Sequence, residues 1–192
     1  MNGGREAVVV AGPPGSGKST LGALLAGRLG AALLDLDTAT ADLTAVVAHL
    51  LGVDDLDDPA LARATRAARY ATITAVAEEN LRLGLGVVLV APFTSERRDP
   101  AAWAALAARL EAAGGRPCLV WLDLDATAVE DRIRRRGARR DGPRLARGDG
   151  VTGMDLSAPQ VPHLRADAAQ PPEVLVERVL GGLVHQDVPS VS

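Results

Sequence analysis

The chain has 192 residues, 47% of them hydrophobic, and a formal net charge of -3 at pH 7. This size and hydrophobic share fit one domain with a substantial core and disfavour two independent domains. The aromatic residues are two Trp, one Tyr and one Phe, too few for a platform that stacks the bases of single-stranded nucleic acid. The mildly negative charge gives no overall attraction to nucleic acid or to an anionic membrane.

The cysteine content and the N-terminal residues bear on the compartment. One cysteine cannot form an internal disulfide, and no charged-then-apolar leader opens the sequence, so we expect a cytoplasmic protein. No apolar stretch approaches the roughly 18 residues that a membrane-spanning helix needs. The 21 basic residues include a single lysine, Lys18, which makes the position of that lysine informative.

Hydrophobic patterning predicts strands and helices that alternate along the chain. Short apolar runs predict five strands, at 7–11, 32–36, 87–90, 119–122 and, more weakly, 163–166. Helical spacing predicts helices at 19–29, 42–51 with Asp42 as N-cap, 60–83, 100–113, from Asp125 into an Arg-rich stretch, and 173–183. Such alternation predicts an α/β fold with a parallel sheet covered by helices on both faces. We expect a single domain with its core at about 6–184 and a frayed tail at 185–192.

Residues 12–19 read GPPGSGKS and match the P-loop pattern G-x-x-x-x-G-K-[ST] in full. They lie between a predicted strand and a predicted helix, which is the context that the pattern requires. Glycines let backbone N–H groups surround a phosphate, and the helix N-terminus adds its positive dipole end. Lys18 would neutralise the β and γ oxygens of ATP, and the Ser19 hydroxyl would ligate Mg²⁺. The candidate nucleotide-binding residues of this loop are Gly12, Pro13, Pro14, Gly15, Ser16, Gly17, Lys18, Ser19 and Thr20.

Two acids, Asp35 and Asp37, lie at the end of the second predicted strand. In a parallel sheet the carboxyl ends of the strands border the ligand crevice. A phosphoryl acceptor needs its hydroxyl oriented and its proton accepted, and a carboxylate serves both purposes. We assign that catalytic role to Asp37 and place Asp35 nearer the metal and its waters. The alternative for both acids is a structural role in a turn or a helix cap.

Eight arginines and one acid lie between Arg132 and Arg147, so this segment has a charge of +7 and the rest of the chain -10. Arg132, Arg136 and Arg140 recur every four residues, a spacing at which like charges repel on a helix. A triphosphate would reverse that cost, because the forked donors of arginine suit phosphate oxygens. Two alternatives stay open: arginines that favour a helix C-terminus and face solvent, and a nucleic-acid contact, which the absence of aromatics here disfavours.

Other arginines follow less specific patterns. Arg63, Arg66 and Arg69 recur every three residues and could line an acceptor pocket, although a solvated stripe is the simpler interpretation. Arg97 and Arg98, with Thr94, follow the third strand near the crevice and are candidate acceptor contacts.

Taken together, the P-loop, the D-x-D pair, the Arg-rich segment and the Gln170-Pro171-Pro172 turn before the last helix resemble the small P-loop kinases. The chain is most similar to zeta-toxin-like, chloramphenicol-phosphotransferase-like and polynucleotide-kinase-like domains, often labelled AAA-family ATPases, over about residues 6–184. The resemblance implies a P-loop NTPase fold with a five-stranded parallel sheet and an adenylate-kinase-like, Arg-rich lid at about 132–162.

The same resemblance implies roles for individual residues. Asp37 would contact the acceptor hydroxyl and Asp35 would help to organise Mg²⁺. The implied catalytic residues are Asp37, Lys18, Arg132 and Arg136. Nucleotide contacts would extend to Arg140, Gln170 and Pro171, and the metal would be held at Ser19 and Asp35.

The third strand departs from the family pattern, because Val90 is followed by Ala91 and Pro92 and not by a Walker B aspartate. The outer shell of the metal would then come from Asp35 or from Asp123. We expect ATP- and Mg²⁺-dependent phosphoryl transfer to a hydroxyl of a small molecule that is sugar-like, a nucleoside or an antibiotic, by a monomer or homodimer. The alternatives are an ATP-binding regulator without an acceptor, which the absent acid favours, and a toxin-like or nucleic-acid 5′-kinase.

Overall fold

Along the described chain, each strand is followed by one or two helices. The structure is a computed structural model that describes residues 5–55, 58–136 and 155–185. The strands are β1 (Arg5–Ala11), β2 (Ala32–Asp35), β3 (Val87–Val90), β4 (Gly115–Asp123) and β5 (Leu164–Asp167). The helices are α1 (Lys18–Leu29), α2 (Leu36–Leu51), α3 (Pro59–Arg82), α4 (Thr94–Arg98), α5 (Pro100–Ala112), α6 (Ala126–Arg136) and α7 (Pro172–His185). No helix in these ranges is long and apolar enough to cross a membrane.

The strands form one sheet in the order β2-β3-β1-β4-β5. All of its pairings are parallel, with Val10 level with Val90 on one side of β1 and Ala11 level with Trp121 on the other. Because every strand runs the same way, the segments that follow β1, β3 and β4 meet at one edge of the sheet. The predicted five-stranded parallel α/β fold is confirmed, and this carboxyl edge is where a ligand crevice is expected.

The two faces of the sheet carry separate hydrophobic clusters. Alternate strand residues point to opposite faces. The face under α1 and α7 includes Leu25 and Val176, and the face under α3 and α5 includes Ile73 and Leu110. A Cβ atom on Gly22 would lie 2.4 Å from a Val90 methyl carbon, so this glycine lets α1 lie close against β3. Covering both faces explains why the central strands are continuously apolar.

The start of α2 differs from the prediction. The helix begins at Leu36, and its N-cap is Asp35, whose side chain accepts hydrogen bonds from the backbone N–H groups of Asp37 and Thr38. The prediction of Asp42 as the cap was therefore wrong, because the helix already begins at Leu36, where Asp35 caps it, and Asp42 lies in its interior. It follows that β2 ends at Asp35, and that Asp37 lies in the first turn of α2 instead of at the strand end.

Two further differences concern the segments around the crevice. The five-residue helix α4 was not predicted, because so short a run shows no helical periodicity. Of the predicted lid at 132–162, residues 137–154 lie outside the described residues, and the Arg-rich lid is not confirmed. Residues 132–136 continue α6, while 155–163 are irregular chain that leads into β5.

Candidate active site

The phosphate loop is a tight turn between β1 and α1. The N–H of Ser16 donates to the carbonyl oxygen of Pro13 at 3.2 Å. Gly15 and Gly17 have φ angles of 73° and 93°, in the left-handed region that favours glycine. A Cβ on Gly12 would lie 2.7 Å from the Ser16 Oγ. The glycines of the pattern are thus required by the shape of the loop.

The N-terminus of α1 is left without a side-chain cap. Gly17 holds the N-cap position there and makes no side-chain hydrogen bond, whereas α2, α3 and α5 are capped by Asp35, Asp58 and Asp99. Uncapped N–H groups and the helix dipole together suit an anion such as a phosphate. The Lys18 Nζ donates to the carbonyl oxygens of Gly12 at 3.0 Å and Pro13 at 2.8 Å, which holds its positive charge over the loop.

Ser19 and Asp35 are in direct contact. The Ser19 hydroxyl donates to Asp35 Oδ2 at 2.7 Å, while Asp35 Oδ1 accepts from the N–H groups of Asp37 at 3.0 Å and Thr38 at 3.1 Å. Oxygen donors of these types are the ligands that Mg²⁺ prefers. The described residues contain no group of three or more His, Cys, Asp or Glu that could hold a metal ion. The pair therefore fits an ion that takes its other ligands from phosphate and water, as Mg²⁺ commonly does.

Asp123, the other acid considered for the metal shell, is paired with an arginine of β5. Its Oδ2 accepts from the Arg165 Nε at 2.8 Å, across the β4–β5 pair. Of the two candidate acids, Asp35 is the one that contacts Ser19.

Asp37 is paired with an arginine of α3. Asp37 Oδ1 accepts from Arg69 Nη2 at 2.6 Å, and Arg69 Nε donates to the Thr40 hydroxyl at 2.8 Å. The Arg69 side chain is 23% exposed and that of Asp37 is 50% exposed. The guanidinium thus holds an accessible carboxylate at the start of α2. The spacing of three along α3 could not distinguish Arg69 from the exposed Arg63 and Arg66, because the partner of Arg69, Asp37, lies on another helix.

Arg132 bridges two loops. Its Nη1 donates to the carbonyl oxygen of Ser16 at 3.3 Å, and its Nη2 donates to the carbonyl oxygen of Ala168 at 2.6 Å. These bonds join the phosphate loop to the turn that carries Gln170 and Pro171. A contact between Arg132 and the transferring phosphate stays a prediction. The side chain of Arg136 and all of Arg140 lie outside the described part of the chain.

Phe93 has an unusual backbone where the chain leaves β3. It is fully buried with a φ angle of 43°, in a region that costs energy for residues other than glycine. Its N–H donates to the Tyr70 hydroxyl oxygen at 3.1 Å, and the two rings meet edge to face with centroids 5.5 Å apart. Burial raises the pKa of Tyr70 to about 12, against the opposing charge of Arg66, whose guanidinium lies over the Tyr70 ring. Tyr70 of α3 thus fixes the turn that follows β3.

The parallel sheet and the phosphate loop at residues 12–19 define a P-loop nucleotide-binding α/β protein. Residues 8–150 match the AAA domain family AAA_33, and the chain belongs to that family. No functionally curated protein matches the chain.

Solved structures of small P-loop kinases share the fold over nearly their whole lengths. One is the APS kinase CysC of Mycobacterium tuberculosis in complex with AMPPNP and APS, at 23% identity and a TM-score of 0.64, covering 94% of this chain and 99% of that one. A gluconokinase from Sinorhizobium meliloti 1021 is 19% identical with a TM-score of 0.56, covering 94% and 93%. Shikimate kinase from Acinetobacter baumannii in complex with shikimate is 19% identical with a TM-score of 0.56, covering 96% of each chain.

Proposed function

We propose that this protein is an ATP-dependent kinase that transfers the γ-phosphoryl group of ATP to a hydroxyl of a small molecule. The observation that carries the proposal is the carboxylate of Asp35. One of its oxygens accepts from the phosphate-loop residue Ser19, and the other accepts from the N–H of Asp37. A nucleotide site and a candidate base for the acceptor thus lie beside each other at the carboxyl edge of the sheet.

At the nucleotide end, the chain supplies positive charge and hydrogen-bond donors. The uncapped start of α1 and the ammonium of Lys18 would hold the β and γ phosphates and stabilise the charge that develops on them during transfer. Ser19 would hold Mg²⁺ directly, with Asp35 in its outer shell. When bound, Mg²⁺ would neutralise charge on the phosphate oxygens.

At the acceptor end, Asp37 would orient the attacking hydroxyl and accept its proton. The hydrogen bond from Arg69 to Asp37 Oδ1 holds this carboxylate in place at the start of α2. The names of the similar structures, which include a gluconokinase and a shikimate kinase, support an acceptor in the class of small molecules.

A second candidate function is an ATP-binding regulator that has no acceptor. It is favoured by the end of β3, where Val90 leads into Ala91 and Pro92 with no acid. A third candidate, a nucleic-acid 5′-kinase, would use the same phosphate loop with a different acceptor.

The test is to mix the protein with Mg²⁺, ATP and pooled acceptors. The pools are sugars and sugar acids, nucleosides, hydroxyl-bearing antibiotics and an oligonucleotide with a 5′-hydroxyl. ADP release and a new phosphorylated mass are measured. We expect one small-molecule pool to stimulate ADP release. Binding of ATP with no response to any pool would instead identify a regulator, and a response to the oligonucleotide alone would identify a nucleic-acid kinase.

The role of Asp37 is tested with the acceptor so found. The Asp37→Asn variant keeps the shape of the side chain but loses the proton acceptor. Its turnover should fall by about 10²-fold while its ATP affinity changes only a few-fold. Asp42→Asn, an exposed aspartate on the same helix, is the matched control and should behave as wild type. Unchanged turnover in Asp37→Asn would remove Asp37 from the mechanism.

A further inference from the structure

A buried arginine lies just beyond the end of β3. Arg97 of α4 is 3% exposed. Its guanidinium lies 4.9 Å from the centre of the Trp121 ring. It donates to the carbonyl oxygens of Ser157 at 2.8 Å and Asp155 at 3.0 Å, and also to the Asp155 carboxylate. Such a charge is tolerated in a protein interior only when its donors are paired.

The groups that accept hydrogen bonds from the Arg97 guanidinium all belong to one stretch of irregular chain. We call residues 155–161 the crossing segment. The Asp155 carboxylate also pairs with Arg98, and it accepts from the N–H of Ser157 at 3.1 Å. These bonds, with that of Arg98 foremost, hold the pKa of Asp155 well below its usual range. The N–H of Gln160 donates to the carbonyl oxygen of Arg97 at 2.8 Å. The crossing segment is therefore fixed to α4 near both of its ends.

The crossing segment passes from one face of the sheet to the other. Leu156 packs against the cluster under α1 and α7, whereas Val161 belongs to the cluster under α3 and α5. Because Arg97 follows β3, the passage lies at the carboxyl edge. Trp121, which lies under the guanidinium, is level with Ala11, and the phosphate loop begins at the next residue. The crossing segment therefore runs beside the phosphate loop.

We propose that the crossing segment forms a wall of the acceptor site, that Gln160 contacts the acceptor, and that Arg97 is the positioning residue that holds this wall in place. The proposal rests on the kinase function proposed above. Gln160 has an exposed side chain, and its recorded hydrogen bond to the described residues is made by its backbone N–H. Its amide can both donate and accept, which suits an acceptor with hydroxyl or carbonyl groups besides the reacting one.

Stability alone gives a weak reason for this cluster. Replacing a buried ion pair with well-packed apolar residues often leaves a protein as stable or more stable. The cluster does hold irregular backbone at a fixed place, since the fork of one guanidinium reaches two carbonyl oxygens and a carboxylate. Lysine cannot reproduce that geometry, although it keeps the charge.

The experiment uses the acceptor found with the pools and compares three variants of the full chain. In Gln160→Ala we expect the acceptor KM to rise about tenfold, with the ATP KM and the thermal midpoint unchanged, because only an exposed amide is lost. In Arg97→Lys we expect the acceptor KM to rise at least as much, with ATP affinity within about twofold of wild type. Arg28→Lys, which alters an exposed ion pair with Glu177, is the control and should change neither.

The outcomes separate this proposal from the function on which it rests. If no pool stimulates ADP release by the wild type, the kinase function fails and the acceptor wall with it. If an acceptor is found and Gln160→Ala leaves its KM unchanged, the proposal fails alone. Equal loss of ATP and acceptor binding in Arg97→Lys would assign the cluster a purely structural role. If Arg97→Lys does not fold, Gln160→Ala decides the matter.

Discussion

Asp35 has two roles in the structure that substitution can separate. One oxygen caps α2, and the other accepts from the Ser19 hydroxyl at 2.7 Å. Asparagine caps a helix about as well as aspartate, whereas alanine does not. Asp35→Asn therefore removes the charge beside Ser19, the proposed metal ligand, and keeps the cap, while Asp35→Ala removes both.

The structure supplies a matched control for the cap. Asp58 accepts from the N–H groups of Ala60 at 2.7 Å and Leu61 at 3.2 Å at the start of α3, and we assign it no role in binding nucleotide, metal or acceptor. Losing such a cap costs about 1 kcal/mol of unfolding free energy. Losing the additional hydrogen bond to Ser19 costs about 1 kcal/mol more. We expect Asp58→Ala to lose about 1 kcal/mol, Asp35→Ala about 2 kcal/mol, and Asp35→Asn less than either.

Urea unfolding and ATP binding at several Mg²⁺ concentrations measure the two roles in parallel. Asp35→Asn and Asp35→Ala should both need more Mg²⁺ for half-maximal ATP binding, because the carboxylate no longer orients the metal's waters. Asp58→Ala should keep the wild-type requirement in spite of its lower stability. If Asp35→Asn also keeps that requirement, Asp35 is only a helix cap and its metal role is refuted.

Three further perturbations test other parts of the site. Lys18→Ala should fold normally and lose nearly all ATP binding in calorimetric titration, and near-normal affinity would contradict the P-loop assignment. Replacing Arg132 and Arg136 with Ala should lower turnover more than ADP affinity. Equal losses of turnover and ADP affinity would contradict a contact with the transferring phosphate and would show that Arg132 acts through its hydrogen bonds to the two loops. Burial raises the pKa of Tyr70 in the folded protein to about 12, whereas the unfolded chain releases this proton at about pH 10. The free energy of unfolding should therefore fall as the pH rises from about 10 to about 12. Tyr70→Phe should abolish that fall. Because Tyr70 is the only tyrosine, tyrosinate absorbance of the folded protein reports its pKa directly, and a midpoint near 10 would contradict the burial argument.

The parts of the fold that the sequence predicted well are those with strong local signals. Continuous apolar runs marked the central strands, such as Val87–Val90, because both faces of the sheet are covered. The P-loop was recognisable because its glycines and Lys18 occupy fixed spacings between a strand and a helix. Both signals extend over fewer than ten neighbouring residues and need no knowledge of tertiary contacts.

The start of α2 was mispredicted because local signals there conflict. Residues 36–41 contain two threonines, which are weak helix formers, and Asp42 is as good a cap as Asp35. Burial decides the outcome, since Leu36 is 4% and Thr40 is 3% exposed. The Thr40 hydroxyl donates to the carbonyl oxygen of Leu36 at 2.6 Å, so the buried polar group is paired within the helix itself.

The partners of the arginines could not be read from spacing. Arg69 meets an aspartate 32 residues away, and Arg97 meets a carboxylate 58 residues away. An arginine of α3 that faces solvent and one that faces α2 have the same sequence signal. Their different roles arise only when the helices pack.

The lack of an acid after β3 is the main argument from the sequence for an ATP-binding regulator. The position of Asp35 weakens that argument. An acid after β3 would serve to place a carboxylate near the Ser19 hydroxyl, the proposed metal ligand. In this chain Asp35, at the end of β2, already lies 2.7 Å from Ser19. The segment after β3 is instead occupied by the strained turn at Phe93 and by the arginine that holds the crossing segment. A regulator has no use for an accessible Asp37 or for the proposed acceptor wall, whereas a transferase would use both.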